Sequence, residues 1–117
     1  MAQETIVSYY RLTPEEQKTQ DLKDLVKTII EIYGQDVDKA FKVIQCESSW
    51  EPNRGGDIEK GKATSFGLWQ FHLHAHPEVS KACALDPVCS TFHAMEHWKK
   101  GAQNLWTCWG LVEQVNN

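Results

Sequence analysis

Apolar residues return every three or four positions along two stretches in the first half of the chain, the spacing of one helix face. Leu22, Leu25, Val26, Ile29, Ile30 and Tyr33 form the first stripe, and Gly34 ends it. Its start is marked too: Thr13 caps, Pro14 takes the first helical position and Glu16 completes a capping box. Asp36 caps a second helix whose body, Val37, Ala40, Phe41, Val43 and Ile44, is almost wholly apolar. Glu47 falls one turn beyond Val43 and Ile44, over the apolar face rather than opposite it. A carboxylate there is pressed toward the interior unless a cleft opens beside it.

After Pro52 the pattern changes. "NRGGDIEKGKATS" is polar and glycine-rich, with Lys60-Gly61 as a turn between two short strands. "FGLWQF" is an apolar block with an internal glycine, the mark of close backbone approach. Pro77 and Asp86-Pro87 mark two further helix starts. From the second, Val88, Phe92, Met95 and Trp98 form a stripe that ends at Gly101. A last helical stretch carries Leu105, Trp106, Trp109 and Val112. The expectation is one α+β domain over residues 1–117, mainly α, with a small β-hairpin or loop insertion after Glu47. Residues 1–12 are expected to be an extended arm.

Composition narrows the classes. A chain of 117 residues has room for one core. No apolar run approaches the roughly 20 residues that span a bilayer, so no membrane insertion is expected. The opening "MAQETIVSYYRL" lacks the basic and apolar regions of a signal peptide. Export is then either not of the Sec type, or its signal precedes this numbering. A net charge of -4 argues against nucleic-acid partners, which require basic patches. The chain is expected to act as a monomer without a cofactor.

The four cysteines, Cys46, Cys83, Cys89 and Cys108, include no C-x-x-C pair, so a zinc ribbon is not indicated. An even number in a small tryptophan-rich domain points to two disulfides and an extracytoplasmic setting. If "CALDPVC" closes a short loop between Cys83 and Cys89, Cys46 meets Cys108. Three connectivities are open, and the sequence does not choose among them. Buried free thiols are the plainer alternative.

"ESSWEP" followed by "SFGLWQF" resembles the lysozyme-like superfamily, closest to the lytic transglycosylases and goose-type lysozymes. Members carry E-S-x-x-x-P at a helix end and G-L-x-Q after a small β or loop insertion. Glu47, Ser48 and Pro52 match the first motif, and Gly67, Leu68 and Gln70 the second. The match covers roughly Ala40 to Phe71. It implies a lysozyme-like fold with the insertion beside a cleft, and cleavage of peptidoglycan glycan strands at the β-1,4 bond between N-acetylmuramic acid and N-acetylglucosamine. Such a protein works outside the cytoplasm, whether secreted, periplasmic or phage-delivered.

The chemistry needs a protonated acid beside the leaving oxygen near neutral pH, and burial of a glutamate against an apolar wall supplies one. The resemblance gives that role to Glu47, with Val43, Ile44 and Trp50 near enough to form the wall. Chicken-type lysozymes place an aspartate where Ser65 stands, and His72 occupies another aspartate position. A mechanism with one protein carboxylate follows: Glu47 protonates the leaving oxygen, the substrate's N-acetyl group stabilises the anomeric carbon, and Glu47 then closes a 1,6-anhydro ring. The alternative is hydrolysis with Asp57, or Glu59, as second carboxylate. Ser48, Ser65, Gln70, Trp69 and Trp109 are the candidate substrate contacts, each weighed against core packing or backbone hydrogen bonding. The serine at Ser65 also motivates an alternative from another class, a non-catalytic module that binds wall glycan.

"HAMEH", His93 to His97, matches the H-x-x-E-H pattern of inverted zinc peptidases. The two histidines sit one turn apart, as two ligands would. A third ligand downstream is wanted, and Glu113 alone remains, so the pair is read as the exposed side of a helix and no metal is expected.

Overall fold

The computed structural model describes residues 11–116, with side chains through Glu113. Apart from its last two residues, the expected N-terminal arm lies outside the described residues. The first helix, α1 (Pro14–Ile32), begins with both halves of the capping box: the Glu16 N–H donates to Thr13 Oγ1 and the Thr13 N–H to Glu16 Oε1, each at 3.1 Å. Val26, Ile29 and Ile30 are buried; Leu25 of the same stripe is 47% exposed. The second helix, α2 (Val37–Ser48), is capped by Asp36, which accepts from the Lys39 N–H at 3.0 Å. Ala40, Val43 and Ile44 carry its buried face.

Three strands of two residues each follow: β1 (Gly55–Gly56), β2 (Ser65–Phe66) and β3 (Phe71–His72), antiparallel in that order. Lys60 and Gly61 are both left-handed, at φ 50° and 78°, and a bridge joins Glu59 to Lys62 around them, so this turn lies where the sequence puts it. The third strand begins at the last residue of the apolar block and was not expected. Gly67 explains the block's glycine: at φ 85°, an added Cβ would stand 1.8 Å from the carbonyl oxygen of Ala84.

Pro77 does not start a helix. It sits in a turn, and Ser80 instead caps a short helix, α3 (Lys81–Leu85), by accepting from the Cys83 N–H at 3.0 Å. Asp86 then caps α4 (Pro87–Lys99) through the N–H groups of Val88 and Cys89. A 3₁₀ turn (Gln103–Leu105) leads into α5 (Thr107–Asn116).

Helix α1 packs on α4, and α2 packs on α5. Between them lies an aromatic core. Trp69 meets Trp98 and Trp106 edge-on at 5.6 and 5.8 Å, and Phe71 meets Trp106 at 5.6 Å. Two of its indole N–H groups are paired, Trp69 Nε1 donating to Thr91 Oγ1 and Trp106 Nε1 to the Trp69 carbonyl, whereas the buried Trp98 Nε1 has no partner among the described residues. Two disulfides, Cys46–Cys108 and Cys83–Cys89, use all four cysteines. The first staples α2 to α5, which a Lys39–Glu113 ion pair at 2.9 Å also joins. The second closes α3 onto α4. No described helix is long and apolar enough to cross a membrane.

Candidate active site

Helix α2 ends at Ser48 because Ser49 and Trp50 both turn left-handed, at φ 52° and 63°. That reversal swings Trp50 back onto Phe41, with ring centroids 4.7 Å apart. It leaves Glu47 in the last turn, half-buried, facing a cleft rather than the core. Asp57, Gln70, Phe71, His72, His76, Leu105, Trp106 and Thr107 complete the lining. The sheet forms one wall and the entry to α5 the other.

Burial raises the Glu47 carboxyl above its ordinary value. The backbone N–H of Cys108, in the first turn of α5, opposes the rise, and the negative charge of Asp57 adds to it. Glu47 is therefore biased toward the protonated form that an acid catalyst requires. Asp57 itself is exposed and left-handed at φ 49°. Its carboxylate accepts from the Ser65 hydroxyl, and its carbonyl accepts from Thr64 Oγ1 at 2.6 Å.

Ser65 is fully buried, and its Oγ also lies 3.3 Å from His72 Nδ1, its register partner across β2 and β3. Ser65 and His72, which the resemblance sets at two aspartate positions, thus meet each other, and Ser65 links His72 to Asp57. This relation was invisible in the sequence, because it depends on strand register.

Gln70, left-handed at φ 49°, lines the cleft, but its amide nitrogen is committed to the carbonyls of Arg54 at 3.0 Å and Gly67 at 2.9 Å. It clamps β1 to the turn before β3. Other candidates lie elsewhere. Ser48 is fully buried and donates to the Ile44 carbonyl. Trp69 has no exposed surface and is a core residue. Trp109 packs on Trp98 at 5.1 Å beneath the Lys39 ammonium and is not among the residues that line the cleft. The backbone hydrogen bonding and core packing weighed for these side chains describe where the fold holds them. His76, Leu105 and Thr107 also line the cleft but were not singled out from the sequence; for His76, the clustering in "HLHAH" was the available signal.

His93 and His97 are half-buried rather than exposed, and they part company. His93 lies by the Cys83–Cys89 disulfide, whereas His97 turns toward His76 and Glu78. Burial, with the charge of His76 beside it, holds His97 below the ordinary histidine range. Glu113 pairs with Lys39.

The sequence profile of one family, described as a lysozyme-like domain, matches residues 27–110. No curated protein and no solved structure matches the chain. The matched span contains α2 with Glu47, the sheet, the second motif and the entry to α5, so the family's match and the cleft's geometry fall on the same residues. The chain belongs to the lysozyme-like domain family.

Proposed function

We propose that this protein cleaves the β-1,4 bond between N-acetylmuramic acid and N-acetylglucosamine in peptidoglycan, with Glu47 as general acid and then general base. The observation that carries the reading is a half-buried carboxyl, raised in pKa by burial, that faces an open cleft. Protonated Glu47 donates to the bridging oxygen as the bond to the anomeric carbon breaks. The substrate's acetamido oxygen takes up that carbon. The Glu47 carboxylate then removes the proton of the 6-hydroxyl, whose oxygen displaces the acetamido group and closes the 1,6-anhydro ring.

Backbone strain supports placing the chemistry here. Among the described residues five non-glycines are left-handed; Asp57 and Gln70 line the cleft, and Ser49 and Trp50 directly follow the Glu47 turn. Such conformations cost on the order of 1–3 kcal/mol each and persist where the surroundings enforce them, often at active sites. Two disulfides suit an oxidising compartment, which fits action on a wall outside the cytoplasm.

A second reading, hydrolysis, is favoured by one observation. Asp57 lines the same cleft as Glu47, with Ser65 orienting its carboxylate, so it is positioned to activate a water. Digestion of purified glycan strands followed by mass measurement separates the two. The transglycosylase route gives anhydro ends, and hydrolysis gives reducing ends one water heavier. Intact strands would overturn both.

A further inference from the structure

His76 and Glu78 stand on the loop between β3 and α3, and His97 stands on α4. His76 Nδ1 lies 3.3 Å from Glu78 Oε1, and His97 Nε2 lies 3.5 Å from the same oxygen. The two imidazole centroids are 5.2 Å apart, and the three ligating atoms all fall within 4.8 Å of one another. Nitrogen and oxygen ligands about 2.1 Å from a tetrahedral zinc stand about 3.4 Å from each other. Two edges of a tetrahedral face are therefore at ligand spacing already, and a small ring rotation closes the third.

The donor set is also selective. Two imidazoles and one carboxylate suit a borderline transition metal, whereas magnesium and calcium prefer oxygen throughout. The rings are held by packing: Phe71 lies against His76 at 5.3 Å and His97 at 6.3 Å, and Trp106 against His97 at 6.0 Å. The reaction proposed above uses none of the three. The neighbouring group of Cys83, Cys89 and His93 offers no thiolate, since both sulfurs are in a disulfide.

We propose that His76, Glu78 and His97 form a zinc site at the rim of the Glu47 cleft. Three protein ligands leave a fourth position for water or for an oxygen or nitrogen of a bound molecule. The ion ties the loop after β3 to α4, and so fixes the His76 side of the cleft. It joins segments that no disulfide links.

The test uses the untagged, oxidised full-length protein, stripped by chelator and titrated with zinc chloride in a calorimeter. Uptake of one equivalent and a raised melting temperature are expected, with no such rise from magnesium. Cobalt chloride in place of zinc is expected to give the visible absorption of tetrahedral cobalt. His97→Gln and Glu78→Gln, each checked for retained helix content by circular dichroism, should lose the uptake, while His93→Ala should keep it. The proposal is overturned if the wild type takes up no stoichiometric zinc, if uptake survives in both His97→Gln and Glu78→Gln, or if His93→Ala abolishes it. None of these readouts needs glycosidase activity, so the site stands or falls apart from the proposed reaction.

Discussion

The backbone N–H of Cys108 faces the Glu47 carboxylate, while the side chain of the same cysteine is bonded to Cys46, the residue before that glutamate. One covalent link therefore sets both the position of the acid and the position of the helix end that opposes it. The bond is structural in energy and local in effect.

Removing that staple should cost more stability than removing the other. Cys46–Cys108 spans 62 residues, and in the chain-entropy account a loop of that size is worth about 4 kcal/mol. Cys83–Cys89 spans 6 residues and is worth about 2 kcal/mol. Paired Cys→Ala variants measured by urea denaturation should rank in that order. Lytic activity of the Cys46/Cys108 pair should fall even at temperatures where the variant is folded, because Glu47 and α5 are no longer held together.

The raised pKa of Glu47 has a cost in stability with a definite sign. The fold disfavours the ionised form, so the stability associated with Glu47 is fully present below the ordinary glutamate value. It is lost as pH rises through the raised folded-state value. Glu47→Gln, which is neutral throughout, should therefore melt higher than the wild type at about pH 8 and show little difference at about pH 4. A scanning calorimeter at the two conditions checks this; equal differences at both would remove the case for a raised Glu47.

Asp57 raises Glu47 through its charge, after burial. Asp57→Asn should move the alkaline limb of the activity profile to lower pH. By the transglycosylase route the products keep their anhydro ends and the rate at acid pH stays within a few-fold of the wild type. A loss on the order of a hundredfold at every pH would instead assign Asp57 to water activation.

Gly67 holds the second motif against α3. Gly67→Ala puts a methyl group 1.8 Å from the Ala84 carbonyl at φ 85°, with backbone on both sides of the clash. A loss above about 3 kcal/mol is expected by chemical denaturation. Gly34 is also left-handed, at φ 66°, but meets nothing within 4 Å, so Gly34→Ala should cost only about 1 kcal/mol.

The helices were legible because their signals are local. Thr13 with Glu16, Asp36, and Asp86 with Pro87 each mark a start within four residues, and each does so in the structure. Pro77 misled because its fixed φ suits a turn as well as a first helical position, and the hydroxyl of Ser80 provides the cap. The strands are two residues long, too short for alternation to register.

At the site, Glu47 could be placed from one helical turn of sequence. The Asp57, Ser65 and His72 contacts come from strand register, and the His76, Glu78 and His97 group from a loop packing on a helix. Neither arrangement leaves a periodic trace. Gln70 and Trp69 show the reverse effect. Both belong to the second motif, yet one is committed to backbone carbonyls and the other to the core.

The most direct test of the account is the release of soluble muropeptides from purified peptidoglycan by Glu47→Gln. The variant keeps the shape of the side chain and its contacts with α5 but has no proton to give. Loss of a general acid removes about 10²–10⁴ in rate, so activity should fall by at least the lower figure at every pH while the melting curve stays cooperative. Muropeptide release within a few-fold of the wild type would contradict the account, because the cleft's chemistry would then not pass through Glu47.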